Sequence, residues 1–170
     1  MQQLVLVVCL NILFEIFDHY EFKNKDRRLV QVQMVFRHTN RTPLYIYKTS
    51  PCPLELYSDG MGKITNEGVD FAFRFGQLIQ HRYGKHSESA LLGQPNAYEI
   101  STRSSFVERC VQTAQAILFS LFPTNGTKYE WSKSVNWFPL PLHTFPLHDD
   151  AVLRSGDSYC PKLHKMIHEK

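Results

Sequence analysis

The sequence predicts an α/β domain with a mainly parallel sheet and flanking helices. Two observations lead to this prediction: short apolar, β-branched runs are separated by segments of helical period, and the order is strand, loop, helix, strand, helix. The chain has 170 residues, 43% of them hydrophobic, which suits one domain or part of one. Its net charge of +3 is spread along the chain and does not favour a nucleic-acid partner.

The first apolar run covers residues 4–17, with Glu15 as its only charge. It is shorter than the roughly 20 residues that span a bilayer, and its length is typical of a secretory signal. We therefore predict a signal peptide over residues 1–17 and a secreted, extracellular or lysosomal protein, although no Lys or Arg precedes the run. Two alternatives remain open: a buried first strand or helix, and a retained N-terminal anchor.

Secretion would affect the cysteines and the glycosylation sequons of the chain. Cleavage would leave an odd number of cysteines, Cys52, Cys110 and Cys160, so one thiol would be free or paired outside this chain. Of two glycosylation sequons, the one at Asn125 lies in a Pro-Thr-Asn-Gly loop and is the predicted site. The sequon at Asn40 lies in the segment to which we assign chemistry, so we expect no glycan there.

The regular elements follow from local patterns. Residues 29–36 are predicted to form a strand that becomes buried towards its end. Thr65 is expected to cap a helix over residues 66–83, which Gly84 ends. The apolar stripe predicted for this helix consists of Phe71, Phe75, Leu78, Ile79 and the stem of Arg82.

A second strand is predicted over residues 98–102, followed by a second helix. Ser105 and Glu108 have the spacing of a capping box, so the helix is expected to begin near Ser104 or Ser105. Prolines break the chain beyond residue 123, and a last helix is expected from about Pro161.

Charged side chains follow the two predicted strands. Arg37, His38 and Arg41 come directly after the first strand, and Arg103 comes directly after the second. Ligands of α/β proteins bind at the carboxyl ends of strands, and the planar fork of Arg suits phosphate. Any one of these residues alone is better explained as a surface charge, but together they predict an anion site.

The same segments resemble motifs of the histidine acid phosphatases, of the prostatic, lysosomal and venom type. The family motif Arg-His-Gly-x-Arg-x-Pro corresponds to residues 37–43, and Leu-Thr-x-Glu-Gly to residues 64–68. Arg-Ser-x-x-x-x-Arg corresponds to residues 103–109, and Trp-x-Pro-x-Pro-x-His-Thr-x-Pro to residues 137–146. The resemblance covers residues 29–170 and implies a partial histidine acid phosphatase domain with the phosphoglycerate-mutase-like (histidine phosphatase) fold, incomplete in this chain.

The resemblance implies an acid phosphatase, a hydrolase that cleaves phosphate monoesters through a phosphohistidine intermediate. His38 would be the nucleophile, and Arg37, Arg41 and Arg103 would bind the phosphoryl oxygens. Positive neighbours lower the pKa of an imidazole, so His38 would stay neutral at acidic pH. No cofactor, metal or nucleic acid is expected, and a homodimer stays open.

Two departures from the family pattern favour an alternative function. Thr39 occupies the position of the family Gly, where close approach of phosphate is needed. The late His-Asp pair that protonates the leaving group is expected to be absent, because His148 and Asp149 lie too early in the order of motifs. Cys160 resembles a family cysteine whose partner would also be absent. The alternative is therefore an inactive phosphatase-like protein that binds phosphate or a phosphorylated partner.

Two rival sites have weaker support. Cys160, His164 and His168 share a helix face at a spacing looser than that of a zinc finger. The Gly-Met-Gly-Lys run before Ile64 is not a phosphate-binding P-loop, because Ser or Thr is required where Ile64 stands.

Overall fold

A computed structural model describes residues 3–8, 29–84, 87, 91, 96–153 and 160–168 of the chain. It contains four strands and three helices in the order β1, β2, α1, β3, α2, β4, α3 in these residues. Their bounds are β1 Gln3–Val8, β2 Gln31–Phe36, α1 Asn66–Tyr83, β3 Ile100–Ser105, α2 Glu108–Leu121, β4 His143–Phe145 and α3 Pro161–His168.

The four strands form one sheet in the order β2-β1-β3-β4, and every pairing is parallel. The prediction of a mainly parallel sheet is therefore confirmed. Along β2, Val32, Met34 and Phe36 pack against the core, while the alternating Gln31 and Val35 are exposed. This is the side-chain period of a strand, and its inward face packs against core residues of α1 and α2.

Strand β1 lies between β2 and β3, paired in register with both, so that Val8 aligns with Phe36 and with Ser104. In the intact chain, residues 3–8 thus adopt one alternative left open by the sequence, a strand at the start of the fold. Residues 1–2 and 9–28, which include the rest of the predicted signal peptide, lie outside the described residues. Cleavage of the segment remains a prediction.

Helix α1 has the predicted bounds, with Thr65 Oγ1 accepting a hydrogen bond from the backbone N–H of Gly68 at 3.1 Å. Its buried face confirms only part of the predicted stripe. Ile79 is buried and Phe75 packs against the core, but Phe71 and Leu78 are 46% and 57% exposed, and Ala72 and Gly76 are buried instead. Small residues face α2 because the helices cross closely. A Cβ on Gly76 would meet the backbone oxygen of Ile117 at 2.3 Å.

Strand β3 extends further than predicted, and α2 begins later. Ser104 and Ser105 pair with β4, so they remain extended and cannot start a helix. The helix begins at Glu108, and its N-cap residue Val107 makes no side-chain capping bond. The expected capping box between Ser105 and Glu108 is therefore wrong. The core of the domain lies between α2, α1 and the sheet, around Ile79, Ile100, Ile117, Leu118 and Leu121.

Candidate active site

The loop after β2 is held by backbone contacts to the segment before α1. Arg41 forms an isolated antiparallel bridge with Ile64. The N–H of Thr42 donates to the oxygen of Lys63 at 2.8 Å, and the N–H of Thr65 donates to the oxygen of Asn40 at 3.1 Å. The start of α1 approaches so closely that a Cβ on Gly68 would lie 2.4 Å from the same Asn40 oxygen. The loop that carries the predicted site residues is thus fixed by the backbone.

His38 is half-buried at the start of this loop, and its ring orientation is set by a backbone acceptor. Nδ1 lies 2.8 Å from the carbonyl oxygen of Thr39. A carbonyl only accepts, so Nδ1 carries the proton in the neutral imidazole. The lone pair is then on Nε2, which is the arrangement that a nitrogen nucleophile requires.

The surroundings lower the pKa of His38 below its ordinary value of 6.5. Burial contributes most, because it disfavours the charged imidazolium, and the guanidinium groups of Arg109, Arg37 and Arg41 add to the effect. The hydrogen bond to Thr39 raises the pKa and opposes them. Because the sum is a lowered pKa, His38 keeps its lone pair at a more acidic pH than an ordinary histidine.

The guanidinium groups near His38 have donors without an acceptor. Burial lowers the pKa of Arg41, and the positive charges of Arg109 and Arg37 lower it further, because they disfavour another positive charge nearby. Nε of Arg41 and Nε of Arg109 are buried and have no hydrogen-bond partner among the described residues. Buried charged donors without an acceptor are costly, and an anion is the kind of acceptor that such donors bind.

Arg109 is the site residue that the sequence interpretation missed. It lies in the first turn of α2, and it is the second Arg of the Arg-Ser-x-x-x-x-Arg segment. A Cβ on Gly62 would lie 3.6 Å from its Nη1, so the loop before α1 passes directly beside its guanidinium group. The motif contains both arginines. Because the predicted strand ends at residue 102, the prediction places only Arg103 at the carboxyl end of the strand.

Arg103 has a different environment. It lies within β3, opposite His143 of β4, and not beyond the end of the strand. Its Nη2 donates to Oδ1 of the fully buried Asp150 at 2.5 Å, and its guanidinium carbon lies 4.2 Å from the ring centroid of Phe145. The charges that lower the pKa of His38 come from Arg109, Arg37 and Arg41. Nε of Arg103, like Nε of Arg41 and of Arg109, is buried without a hydrogen-bond partner among the described residues. The structure thus shows Arg103 in an ion pair with Asp150, and its expected role as a phosphate ligand stays a prediction.

We predict that the main effect of Arg103→Met is a lower stability of the fold, with only a small loss of any activity. The substitution leaves the Asp150 carboxylate buried without its cation, which costs about 2–4 kcal/mol of unfolding free energy. Thermal unfolding should show a Tm lowered by about 5–10 °C. Arg74→Met, which removes an exposed partner of Asp70 on α1, is the matched control and should change the Tm little. An unchanged Tm for Arg103→Met would contradict a stabilising role for this pair.

Thr39 makes two contacts with α2. Its N–H donates to Oγ1 of Thr113 at 3.3 Å, and the two hydroxyl groups are also 3.3 Å apart. Thr113 in turn donates to the backbone oxygen of Arg109 at 2.8 Å. The Thr at the expected Gly position thus ties the His38 loop to the helix that carries Arg109.

His148 and Asp149 contact each other at 3.3 Å on the surface, with 82% and 58% of their side chains exposed. Among the described residues there is no cluster of three His, Cys, Asp or Glu side chains that could hold a metal ion. The side chains of His164 and His168 lie outside the described residues, so the structure does not test the zinc alternative at α3. Cys160 is exposed and Cys110 is buried.

Similarity to known proteins identifies the family to which this chain belongs. The model of the histidine phosphatase superfamily (branch 2) matches residues 28–170. This chain belongs to that superfamily. The match confirms the family expected from residues 37–43 and the expected α/β histidine phosphatase fold, with its parallel strands and flanking helices.

Several relatives of this superfamily member are acid phosphatases. The chain is 34% identical over 144 residues to testicular acid phosphatase of Homo sapiens, and 30% identical over 143 residues to lysosomal acid phosphatase of the same species. These alignments cover 83% and 84% of this chain, but 32% and 33% of the relatives. Prostatic acid phosphatase of Homo sapiens is 29% identical over 160 residues, covering 94% of the chain and 40% of that protein. The chain therefore spans between 32% and 40% of the length of these curated relatives.

Proposed function

We propose that this chain carries the phosphate-binding and nucleophilic residues of an acid phosphatase that hydrolyses phosphate monoesters. The observation that supports the proposal is the environment of His38, whose Nε2 lone pair is retained beside Arg37, Arg41 and Arg109. Fixed positive charge binds the phosphoryl oxygens and stabilises the charge that develops on them in the transition state. The superfamily membership and the acid phosphatase relatives agree with this chemistry.

The proposed reaction has two displacement steps. Nε2 of His38 attacks phosphorus as the bond to the ester oxygen breaks, which gives a phosphohistidine and an alcohol or phenol once the leaving oxygen gains a proton. Water then attacks the phosphohistidine, and phosphate leaves with the imidazole restored. Nδ1 keeps its proton throughout, held by the Thr39 carbonyl, so the ring does not rotate between the steps.

We assign no residue of this chain to protonation of the leaving oxygen. The surface pair of His148 and Asp149 is exposed, which agrees with the expectation that it is not the catalytic His-Asp pair. An aryl phosphate needs less assistance than an alkyl phosphate, because a phenolate is the better leaving group. Missing proton donation typically costs about 10²–10⁴ in rate. Aryl phosphates are therefore the substrates for the first assays.

The second candidate function is phosphate binding without turnover. The observation that favours it is Thr39, whose hydroxyl is engaged by Thr113 at the position where the family has Gly. Rapid quenching after mixing with an aryl phosphate separates the two candidates. An acid phosphatase accumulates protein-bound phosphoryl groups that survive alkali and are released by acid, as expected of phosphohistidine. A binding protein retains phosphate only non-covalently, and that outcome would overturn the enzymatic proposal.

We predict that the acid limb of kcat/KM lies below pH 6.5. The neutral imidazole is the reactive form, so the rate falls only as the pH drops through the lowered pKa of His38. Arg37→Met removes one of the positive charges that lower this pKa, so its acid limb should move to higher pH. The pH profiles of the parent and of Arg37→Met are measured with the same aryl phosphate, so ionisation of the substrate affects both profiles equally. Superimposable limbs would contradict the electrostatic effect of Arg37 on His38.

We also propose a secreted or lysosomal location, since the relatives include lysosomal and prostatic acid phosphatases. In the described part of the chain, no helix has the length and apolar character to cross a membrane. The proposed glycan site, Asn125, is exposed next to Gly126, whose φ of +72° forms a tight turn. The side-chain oxygen of Asn136 accepts from the backbone N–H of Asn125, a bond that does not involve the side-chain amide to which a glycan would be attached.

A further inference from the structure

We propose that Thr113 is a positioning residue for the nucleophile: its buried hydroxyl group fixes the backbone of Thr39, which in turn fixes the ring of His38. The inference deepens the proposed function and rests on it, because it concerns the same site. Thr113 lies on α2 and is fully buried, and its Oγ1 is 3.3 Å from both the backbone nitrogen and the hydroxyl oxygen of Thr39. In this assignment Thr113 acts through Thr39 and is not itself a catalytic residue.

The single proton of the Thr113 hydroxyl group determines the direction of its hydrogen bonds. A hydroxyl group donates once and has two lone pairs that accept. Thr113 Oγ1 donates its proton to the backbone oxygen of Arg109 at 2.8 Å, a bond within α2. Thr113 therefore accepts both bonds from Thr39, one from the backbone N–H and one from the hydroxyl group. The loop after β2 thus depends on an acceptor that α2 supplies.

The backbone of Thr39 is held on both sides of the carbonyl that orients His38. The carbonyl oxygen lies 2.8 Å from Nδ1 of His38 and belongs to the planar peptide group between Thr39 and Asn40. Before this group, the N–H of Thr39 donates to Thr113. After it, the oxygen of Asn40 accepts from the N–H of Thr65 at 3.1 Å. Without the Thr113 acceptor only the second contact remains, so the carbonyl is no longer held against Nδ1.

The tautomer of His38 depends on this carbonyl. While Nδ1–H donates to Thr39, the lone pair stays on Nε2, where the proposed attack on phosphorus requires it. A displaced carbonyl allows the other neutral tautomer, in which Nε2 carries the proton and does not attack. Arg109 is affected less, because the backbone of α2 holds it in place. Removal of the Thr113 hydroxyl group should therefore lower kcat about tenfold and change the dissociation constant of inorganic phosphate by less than about twofold.

Three substitutions at position 113 separate the hydroxyl group from the shape of the side chain. Thr113→Val replaces the hydroxyl group by a methyl group, Thr113→Ala removes both branches, and Thr113→Ser retains the hydroxyl group. Thr113→Ser should keep the parent kcat, whereas Thr113→Val and Thr113→Ala should each lose about tenfold. The measurements on the full chain are kcat with an aryl phosphate and the dissociation constant of inorganic phosphate, the latter by titration calorimetry.

The imidazole ¹⁵N chemical shifts of His38 provide a readout that does not require activity. They report which ring nitrogen carries the proton, and the signals of His38 are assigned by their absence in His38→Ala. At about pH 8, where the imidazole is neutral, the parent and Thr113→Ser should show the proton on Nδ1. Thr113→Val and Thr113→Ala should show an increased fraction with the proton on Nε2.

Thr124→Val is the matched control for the loss of a buried hydroxyl group. Thr124 is fully buried, its hydroxyl group donates to the side-chain oxygen of Asn136, and it follows the C-terminal end of α2. Both Thr124→Val and Thr113→Val should lower the Tm, because each leaves a polar partner without its hydrogen bond. Only Thr113→Val should change kcat and the tautomer of His38.

The outcomes separate this inference from the proposed function. An unchanged kcat and tautomer ratio in Thr113→Val would overturn the inference and leave the proposed function intact. Equal losses of kcat in Thr113→Val and in Thr113→Ser or Thr124→Val would also overturn it, because the losses would then come from the fold. If the parent does not hydrolyse an aryl phosphate, the proposed function fails, while the tautomer ratios of the same variants still decide whether Thr113 positions His38.

Discussion

His38→Ala should lower the hydrolysis of an aryl phosphate near pH 5 by about 10³-fold or more, because no other described group has its combination of lone pair and surroundings. The imidazole is half-buried, Nδ1 is committed to the Thr39 carbonyl, and only Nε2 remains to attack phosphorus. Binding of inorganic phosphate should survive the substitution, since Arg37, Arg41 and Arg109 remain. The measurements are initial rates with an aryl phosphate and the dissociation constant of phosphate.

The matched control for this variant is His81→Ala. His81 lies exposed in the last turn of α1, so its removal tests whether loss of any histidine changes the rate. Parent and His81→Ala should be equally active. Equal rates for the parent and His38→Ala would exclude the phosphohistidine mechanism and leave only the phosphate-binding function.

The part of the site that follows β2 could be predicted from sequence because it depends on local order. An apolar, β-branched strand ends where Arg37 and His38 begin, and Thr65 caps α1 in the way its position indicates. The bridge between Arg41 and Ile64 then joins two segments whose motifs had each been recognised. For β2, the loop after it and the start of α1, the local sequence pattern predicts the elements that the structure contains. Knowledge of contacts between distant residues is therefore not needed.

The third guanidinium group could not be assigned in the same way, because its identity depends on sheet pairing. If β3 ended at residue 102, Arg103 would stand at the rim. Pairing with β4 extends β3 to Ser105, so Arg103 remains within the sheet and meets Asp150, which is 47 residues away. The extension also delays α2, whose first turn then brings Arg109 to the site. A shift of three residues, set by a strand far along the chain, gives Arg103 a partner beside the sheet and makes Arg109 the second residue of α2.

The buried face of α1 shows a similar limit. The periodicity of large apolar residues predicted a stripe through Phe71 and Leu78, yet the helix buries Ala72 and Gly76. Small residues are selected when two helices approach closely, and this preference carries no hydrophobic signal. Ser120 Oγ donates to the backbone oxygen of Phe73 at 2.6 Å across the same contact. The close approach places α2, and therefore Arg109, near the loop after β2.

Arg109→Met should lower kcat/KM for an aryl phosphate by about 10²–10³-fold, which is the usual effect of removing one charged donor from a phosphoryl site. Its Nε is buried without a partner among the described residues, so at least this donor is unused in the absence of an anion. Phosphate affinity should fall as well. The acid limb of kcat/KM should move to higher pH, because Arg109 is the largest charged contributor to the lowered pKa of His38.

Stability separates this effect from general damage to the fold. Removing Arg109 relieves repulsion from Arg41 and Arg37 and leaves no buried carboxylate behind, so the Tm should remain unchanged or rise slightly. Arg103→Met should show the opposite pattern, with a lowered Tm and a smaller loss of kcat/KM, because its charge is committed to Asp150. If Arg103→Met instead abolishes activity at an unchanged Tm while Arg109→Met remains active, the assignment of the two arginines is reversed. The two variants together thus decide which guanidinium group acts on the phosphoryl group and which one stabilises the fold through its ion pair.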